Sequence, residues 1–183
     1  MYYGPLRDEP LAIELHNTLY AANGQRHDGL EQAEVWLEGM EARLPAFAGA
    51  WPTAADLAAL RDPLRAALHA VVDGGAIDPA VLAAINRAAA RAQCSPAVVR
   101  RGDGALAATV DYHGATRADV VIAALAADAI DLLTGPQRSL LRACLAPGCV
   151  LMFLKDHPRR EWCSNACGNR ARQARHYRRT RRT

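Results

Sequence analysis

Through the first 135 positions, apolar residues recur mainly at helical spacing. Leu11, Leu15 and Leu19 share one face and predict a helix over residues 9–22. Leu30, Ala33, Leu37, Met40 and Leu44 predict a second over 30–44, ended by Pro45. Thr53, with Asp56 three residues on, has the form of a capping box. It opens a helix that turns Leu57, Leu60, Leu64 and Leu68 inward. Pro63 either kinks this helix or, with Asp62, restarts it, and Gly74-Gly75 stops it. Asp78-Pro79 starts another helix, carrying Leu82, Ile85 and Ala89. After Ser95-Pro96 the period changes. Ala97–Arg100 and the alternating Leu106, Ala108, Val110 and Tyr112 predict a hairpin about Arg101-Gly102-Asp103-Gly104. Thr116 and Asp119 open a last helix through Leu133, closed by Thr134-Gly135-Pro136. The expected fold class is α+β, with a mainly helical domain over residues 1–135.

The pattern beyond residue 138 is different. Cys144 and Cys149 flank a Leu145-Ala146-Pro147-Gly148 turn; Cys163 and Cys167 follow 13 residues later, four apart. Zinc takes four soft ligands in a tetrahedron, and thiolates suit it. Val150–Leu154 is strand-like, and Arg159–Trp162 is expected to return as its partner strand. Cys163 and Cys167 are expected on the first turn of a closing helix. The order is then knuckle, hairpin, helix: a small treble-clef-like finger over 138–183. So small a unit has too little core to fold alone, and one Zn2+ supplies the missing stability. Four thiolates also close the coordination shell, which argues against a catalytic metal. His157, before a proline in a turn, reads as solvated. Cys94 stands apart and is expected to be a small buried residue.

Charge separates the same two parts. Residues 1–137 hold 10 Arg against 17 Asp and Glu, net −7; residues 138–183 hold 12 Lys and Arg against two acids, net +10. An acidic body with a strongly basic end points to an anionic partner. After Cys167, arginines at 172, 175, 179 and 182 form one helical stripe, with no apolar stripe to bury. An arginine-rich helix rising from a metal site suits DNA. Arg170 and Arg172, near the metal, are the expected base readers. The distal Arg175, Arg178, Arg179 and Arg182 are expected to meet mainly phosphates, and Arg159 and Arg160 are also expected to contact DNA. Arg170 has a competing role: with Asn169 it could instead brace the finger.

The segment Trp162-Cys163-Ser164-Asn165-Ala166-Cys167-Gly168-Asn169-Arg170 resembles the CGNR zinc finger. Cys144, Cys149, Phe153, Asp156, Arg159, Arg160 and Trp162 fit that pattern; Lys155 and Glu161 depart from it without touching a ligand. Residues 10–20, with Asn17-Thr18, resemble the opening of an ABATE-type domain, as do Trp36-Leu37, Leu60-Arg61 and Ile85-Asn86. The resemblance implies a bacterial, stress-related transcription regulator with an N-terminal sensor-like domain.

From this follow expectations of a cytoplasmic, nucleoid-associated protein with no membrane segment, DNA as partner, and a homodimer formed through the helical body. A small-molecule effector would meet Asn17 and Asn86, which lie beside apolar helix faces. No phosphate loop, nucleophile elbow or His-Glu-x-x-His is present. The alternative is an enzyme or RNA-associated factor, with a pocket in the body and the finger as tether. His16, His69, Asp111, His113, Asp128 and Asp131 are its polar residues, and no pair of them has diagnostic spacing.

Overall fold

A computed structural model describes residues 8–22 and 24–181. The chain opens with helix α1 (Leu11–His16) and the hairpin β1 (Leu19–Ala22) and β2 (Gln25–Asp28). Then come α2 (Ala33–Met40), α3 (Ala54–Val72), α4 (Pro79–Ala89), the hairpin β3 (Ser95–Arg100) and β4 (Leu106–Asp111), and α5 (Arg117–Thr134). The basic end holds β5 (Leu141–Ala143), β6 (Met152–Leu154) and α6 (Asn165–Thr180). Each hairpin is a separate two-stranded antiparallel sheet. The fold class is α+β as expected. No helix among the described residues is long and apolar enough to cross a membrane.

Helices α3, α4 and α5 pack on one another, with α1 across α3 and α5. Ile13, Leu15, Trp36, Leu37, Leu57, Leu64, Ile85 and Leu125 form the centre of the core. Both expected capping boxes are present: Thr53 with Asp56 and Thr116 with Asp119 each satisfy an orphan N–H in both directions. Asp78 caps α4 by accepting from the Ala80 N–H (2.7 Å), with Pro79 at the first helical position. Pro63 neither breaks nor restarts α3, which runs unbroken from Ala54 to Val72. Leu60 and Leu64, buried on either side of it, hold the helix through the missing N–H.

Two expectations are corrected. The helix over 9–22 stops at His16, and the chain turns into β1. Thr18 closes the helix by donating its hydroxyl to the Leu15 carbonyl (2.7 Å). The Asn23-Gly24 pair, with Gly24 at φ 77°, is the local signal for the hairpin that replaces the last turns. Cys94 is exposed, because the β3–β4 arm that follows it stands off the core and nothing covers the link.

The finger is not appended loosely. In β6, Met152 and Leu154 face the body and join its core together with Leu141 of β5. Leu151 and Phe153, which alternate with them, face the cysteines. One thin sheet therefore closes the body on one side and floors the metal site on the other.

Candidate metal centre and basic helix

The four cysteines come together from three places. Cys144 follows β5, and its N–H bonds to the Leu151 carbonyl (2.9 Å), which pins the turn. Within that turn the Cys149 N–H bonds to the Ala146 carbonyl (2.9 Å), and Gly148 at φ 72° supplies the left-handed residue it requires. Cys163 precedes Ser164, whose hydroxyl caps α6 by accepting from the Cys167 N–H (3.3 Å).

All four sulfurs lie within 4.8 Å of one another. Cys163–Cys167 is 3.4 Å, and Cys149 is 3.8 Å from both Cys163 and Cys167. A tetrahedral site with Zn–S of about 2.3 Å sets its sulfurs about 3.8 Å apart, so the cluster has the size zinc needs. Left to themselves the thiols must share protons. Hydrogen bonds from Cys149 and Cys163 draw Cys144 down to about 2, while Cys149 is pushed up to about 11 and Cys163 is pushed up as well. The four sulfurs would hold a dication as thiolates, and the proton-sharing conflict would then be released.

The order within the finger differs from the expected one. The partner of β6 is β5, with Leu141 opposite Leu154 and Ala143 opposite Met152; the knuckle sits inside the hairpin. Residues 159–162 form no strand. They cross to the helix in a turn, with Arg160 N–H bonded to the His157 carbonyl (2.9 Å). His157 is exposed and outside the sulfur cluster, and its Nδ1 accepts from the Arg159 N–H (3.1 Å).

Each residue after the second cysteine pair has a visible task. A Cβ on Gly168 would stand 3.0 Å from Trp162 Cδ1, so glycine lets the indole lie against the helix without the shift any larger residue would require. Asn169 Oδ1 accepts from Arg172 Nη2 (2.5 Å). Arg170 Nη2 donates to Cys167 Sγ (3.2 Å), an outer-shell bond to a ligand sulfur. This geometry gives Arg170 the role of bracing the finger, not that of a free base reader.

Beyond Ala171, which is buried, α6 leaves the protein behind and makes no substantial contact with another element. Arg172, Arg175, Arg178, Arg179 and Arg181 are exposed along it, and no acid follows Glu161. Arg182 lies outside the described residues. Arg159, Trp162, Ser164 and Arg172 line an open cleft of about 720 Å³ at the helix start.

Arg160 is drawn the other way. Its guanidinium pairs with Glu9, donates to the Leu154 carbonyl (2.9 Å) and Asp156 (3.3 Å), and lies 5.0 Å over Phe153. It clamps finger to body and is not free to meet a phosphate.

Asn17 belongs to the same junction. It is fully buried; its Nδ2 donates to the Met152 carbonyl and its Oδ1 accepts from the Met152 N–H, both at 2.9 Å. Glu9 Oε2 accepts from the Leu154 N–H (2.9 Å). The edge of β6 that faces away from β5 is thus satisfied by side chains of the body. Next to Asn17, Thr18 accepts from Arg61 (3.0 Å), which also holds Asp28 through both carboxylate oxygens (2.5 and 2.8 Å). Burial, then the charge of Arg65, hold His16 down at about 3, so its ring is neutral; Nδ1 faces Asn17 Oδ1 at 3.0 Å.

Asn86 is exposed on α4. Asn17, by contrast, is fully buried with its amide taken up by the Met152 backbone. Of the other polar candidates, Asp128 accepts from the Ala12 N–H (2.7 Å) at the start of α1, 116 residues away, and Asp111 accepts from the His113 N–H (2.7 Å) in a local turn.

A family model described as "Putative stress-induced transcription regulator", ABATE, matches residues 9–136. The chain belongs to the ABATE family. A second model, the CGNR zinc finger, matches residues 141–180, which hold the four cysteines and α6. No curated protein matches the chain in sequence. In this ABATE protein the first matched segment contains Glu9 and Asn17 and the second contains Met152, Leu154 and Arg160. The family boundary in sequence therefore runs through a shared, hydrogen-bonded seam in space.

The exposure of Cys94 carries a simple consequence. Cys94→Ser should leave zinc at one per chain by elemental analysis, because the residue is no part of the sulfur cluster. A fall in zinc would mean that a different set of cysteines binds it.

Proposed function

We propose that this protein is a DNA-binding transcriptional regulator, acting as a two-fold pair, whose zinc finger presents α6 to the duplex. The observation that carries the reading is α6 itself: a helix fixed at its start by the metal site, free of the body, with arginine at 172, 175, 178, 179 and 181 and no acid beside them. The two matched families support a regulator in which a metal-stapled finger serves a larger domain.

In the encounter, the distal arginines Arg175, Arg178 and Arg179 meet phosphates and set register. Arg172 and Arg159, beside the cleft at Trp162, stand where base edges are read. Arg170 holds the ligand sulfur and so keeps α6 at a fixed angle to the seam. Tyr177, 68% exposed among the arginines, favours single-stranded nucleic acid through stacking, and is the basis of the second reading.

Arg175→Ala and Arg179→Ala should each weaken binding to all duplexes alike. Each should also lower the slope of log K against log salt by about 0.9. Fluorescence anisotropy on duplex and single-stranded oligonucleotides across salt concentrations checks this. Unchanged slopes in the double variant would remove α6 from the interface. Tighter binding to the single strand, lost in Tyr177→Ala, would move the reading to RNA or single-stranded DNA.

A further inference from the structure

The β3–β4 arm is the part of the body that the fold leaves bare. Its strands touch one another and make no substantial contact with any other element. A two-stranded hairpin is marginal in water by itself. This one also carries an apolar face outward. Cross-strand register puts Pro96, Val98, Leu106, Ala108 and Val110 on one side, with Arg100 at its turn end opposite Leu106, all exposed; Val98 is 69%, Leu106 67% and Val110 48% open to solvent.

The two edges of the arm differ. The closing bond runs from the Arg101 N–H to the Ala105 carbonyl (2.8 Å). By the alternation of antiparallel ladders, the outward N–H and C=O groups of β4 are then those of Leu106, Ala108 and Val110. On β3 they are those of Pro96, Val98 and Arg100. The β3 edge is blunted, since Pro96 has no N–H and Arg100 adds a charge. The β4 edge carries no proline and no charge before Asp111.

We propose that the free edge of β4 pairs with β4 of a second copy of this chain, antiparallel about a two-fold axis at Ala108. In that register Leu106 faces Val110 of the second copy, and Asp111 faces Ala105, so no like charges oppose. All six outward backbone groups of each β4 segment find partners. The product is a four-stranded sheet in the order β3, β4, β4, β3. Its outer edges are the proline-blunted ones, so the assembly closes at two copies and does not grow into a filament. The apolar stripes of both arms merge into one face.

The inference rests on the regulator reading for the two-copy assembly alone, and locates its interface. The test is sedimentation velocity on the full zinc-loaded chain at micromolar concentration without DNA. The wild type is expected as a dimer. Ala108→Pro removes the central outward donor while sparing the inner ladder, and Leu106→Glu places a charge at the seam without altering the backbone. Both are expected as monomers with unchanged zinc content and circular dichroism. These monomers should still bind DNA, with roughly half the wild-type salt slope. A wild type that stays monomeric, or a dimer that survives both variants, overturns the proposal. A wild-type dimer that both variants dissociate but that binds no nucleic acid overturns the DNA reading and leaves the β4 interface standing.

Discussion

Replacing any one of Cys144, Cys149, Cys163 or Cys167 with serine is expected to take zinc from one per chain to near zero and to melt α6. The finger has its own small core of Leu151, Phe153, Ala146 and Ala171 around the cysteines, too little to order it without metal. Structural zinc supplies about 10–16 kcal/mol of apparent stability in small modules, more than that core replaces. Helix α6 is poorly able to stand alone. Its 16 residues barely exceed the length of about 12–15 below which even alanine-rich isolated helices are marginal, and the arginines at 172, 175, 178 and 179 repel at i,i+3 and i,i+4 spacing.

The body should survive, since its capping boxes and the α3–α4–α5 core do not depend on the metal. A chelator should therefore remove part of the helical signal, with the main unfolding transition remaining. Acid should do the same, because protons compete with zinc for thiolates. Stability due to the metal is present at neutral pH and lost as pH falls. His16 adds to this with the same sign. Its folded value of about 3 lies below the ordinary histidine value of 6.5, so the body loses stability as pH drops through that window. Zinc release and body unfolding, followed separately on one acid titration, should both run in this direction. Full helicity in a zinc-free variant with reduced thiols would defeat the metal account.

The second large effect lies at the seam. Glu9 is 3% exposed and joins the Arg160 guanidinium, the Leu154 N–H and, through its backbone carbonyl, Arg43. Glu9→Ala leaves a cation facing a buried hole and a strand N–H without an acceptor. Breaking a buried pair from one side costs about 3–5 kcal/mol. The Arg160 side chain is 25% exposed, which places the expected loss near the lower end. For a chain of this size about 3 kcal/mol lowers Tm by about 6–12 °C. Zinc should stay at one per chain, since no ligand is touched. Hydrogen exchange at the Met152 and Leu154 amides should quicken. Arg160→Ala should cost less in the Glu9→Ala background than alone, because the two share one interaction. An unchanged Tm in Glu9→Ala, or full additivity with Arg160→Ala, would show that the seam does not couple finger to body.

Where the determining partners lie within a few residues, the sequence alone was enough. Thr53 and Asp56, Thr116 and Asp119, and Asp78-Pro79 define helix starts because cap and capped N–H are two or three residues apart. Alternation through Leu106, Ala108 and Val110 marks β4 for the same reason. The thiol set was legible because few chemistries other than a metal gather four cysteines within 24 residues. The arginine stripe was legible because helical spacing alone puts 172, 175 and 179 together.

The rest was decided by partners far away in sequence. Asn17 lies 135 residues from Met152, and Glu9 lies 145 from Leu154. No periodicity records such a pairing, so Asn17 looked like a pocket residue and Glu9 drew no notice. Arg160 looked like any other arginine of the basic end until Glu9 stood opposite it. The strand over 159–162 failed because β5 competes for β6 and wins, with Leu141 bringing a side chain into the body core that those residues do not. Helix α1 ends early because Leu19–Ala22 pair with Gln25–Asp28, and Arg61 of α3 anchors that hairpin through Asp28. Cys94 is exposed because the arm after it leaves the core. Local chemistry specifies caps, turns and ligands; which strand closes the body and which charge is buried depend on surfaces that exist only once the chain has folded.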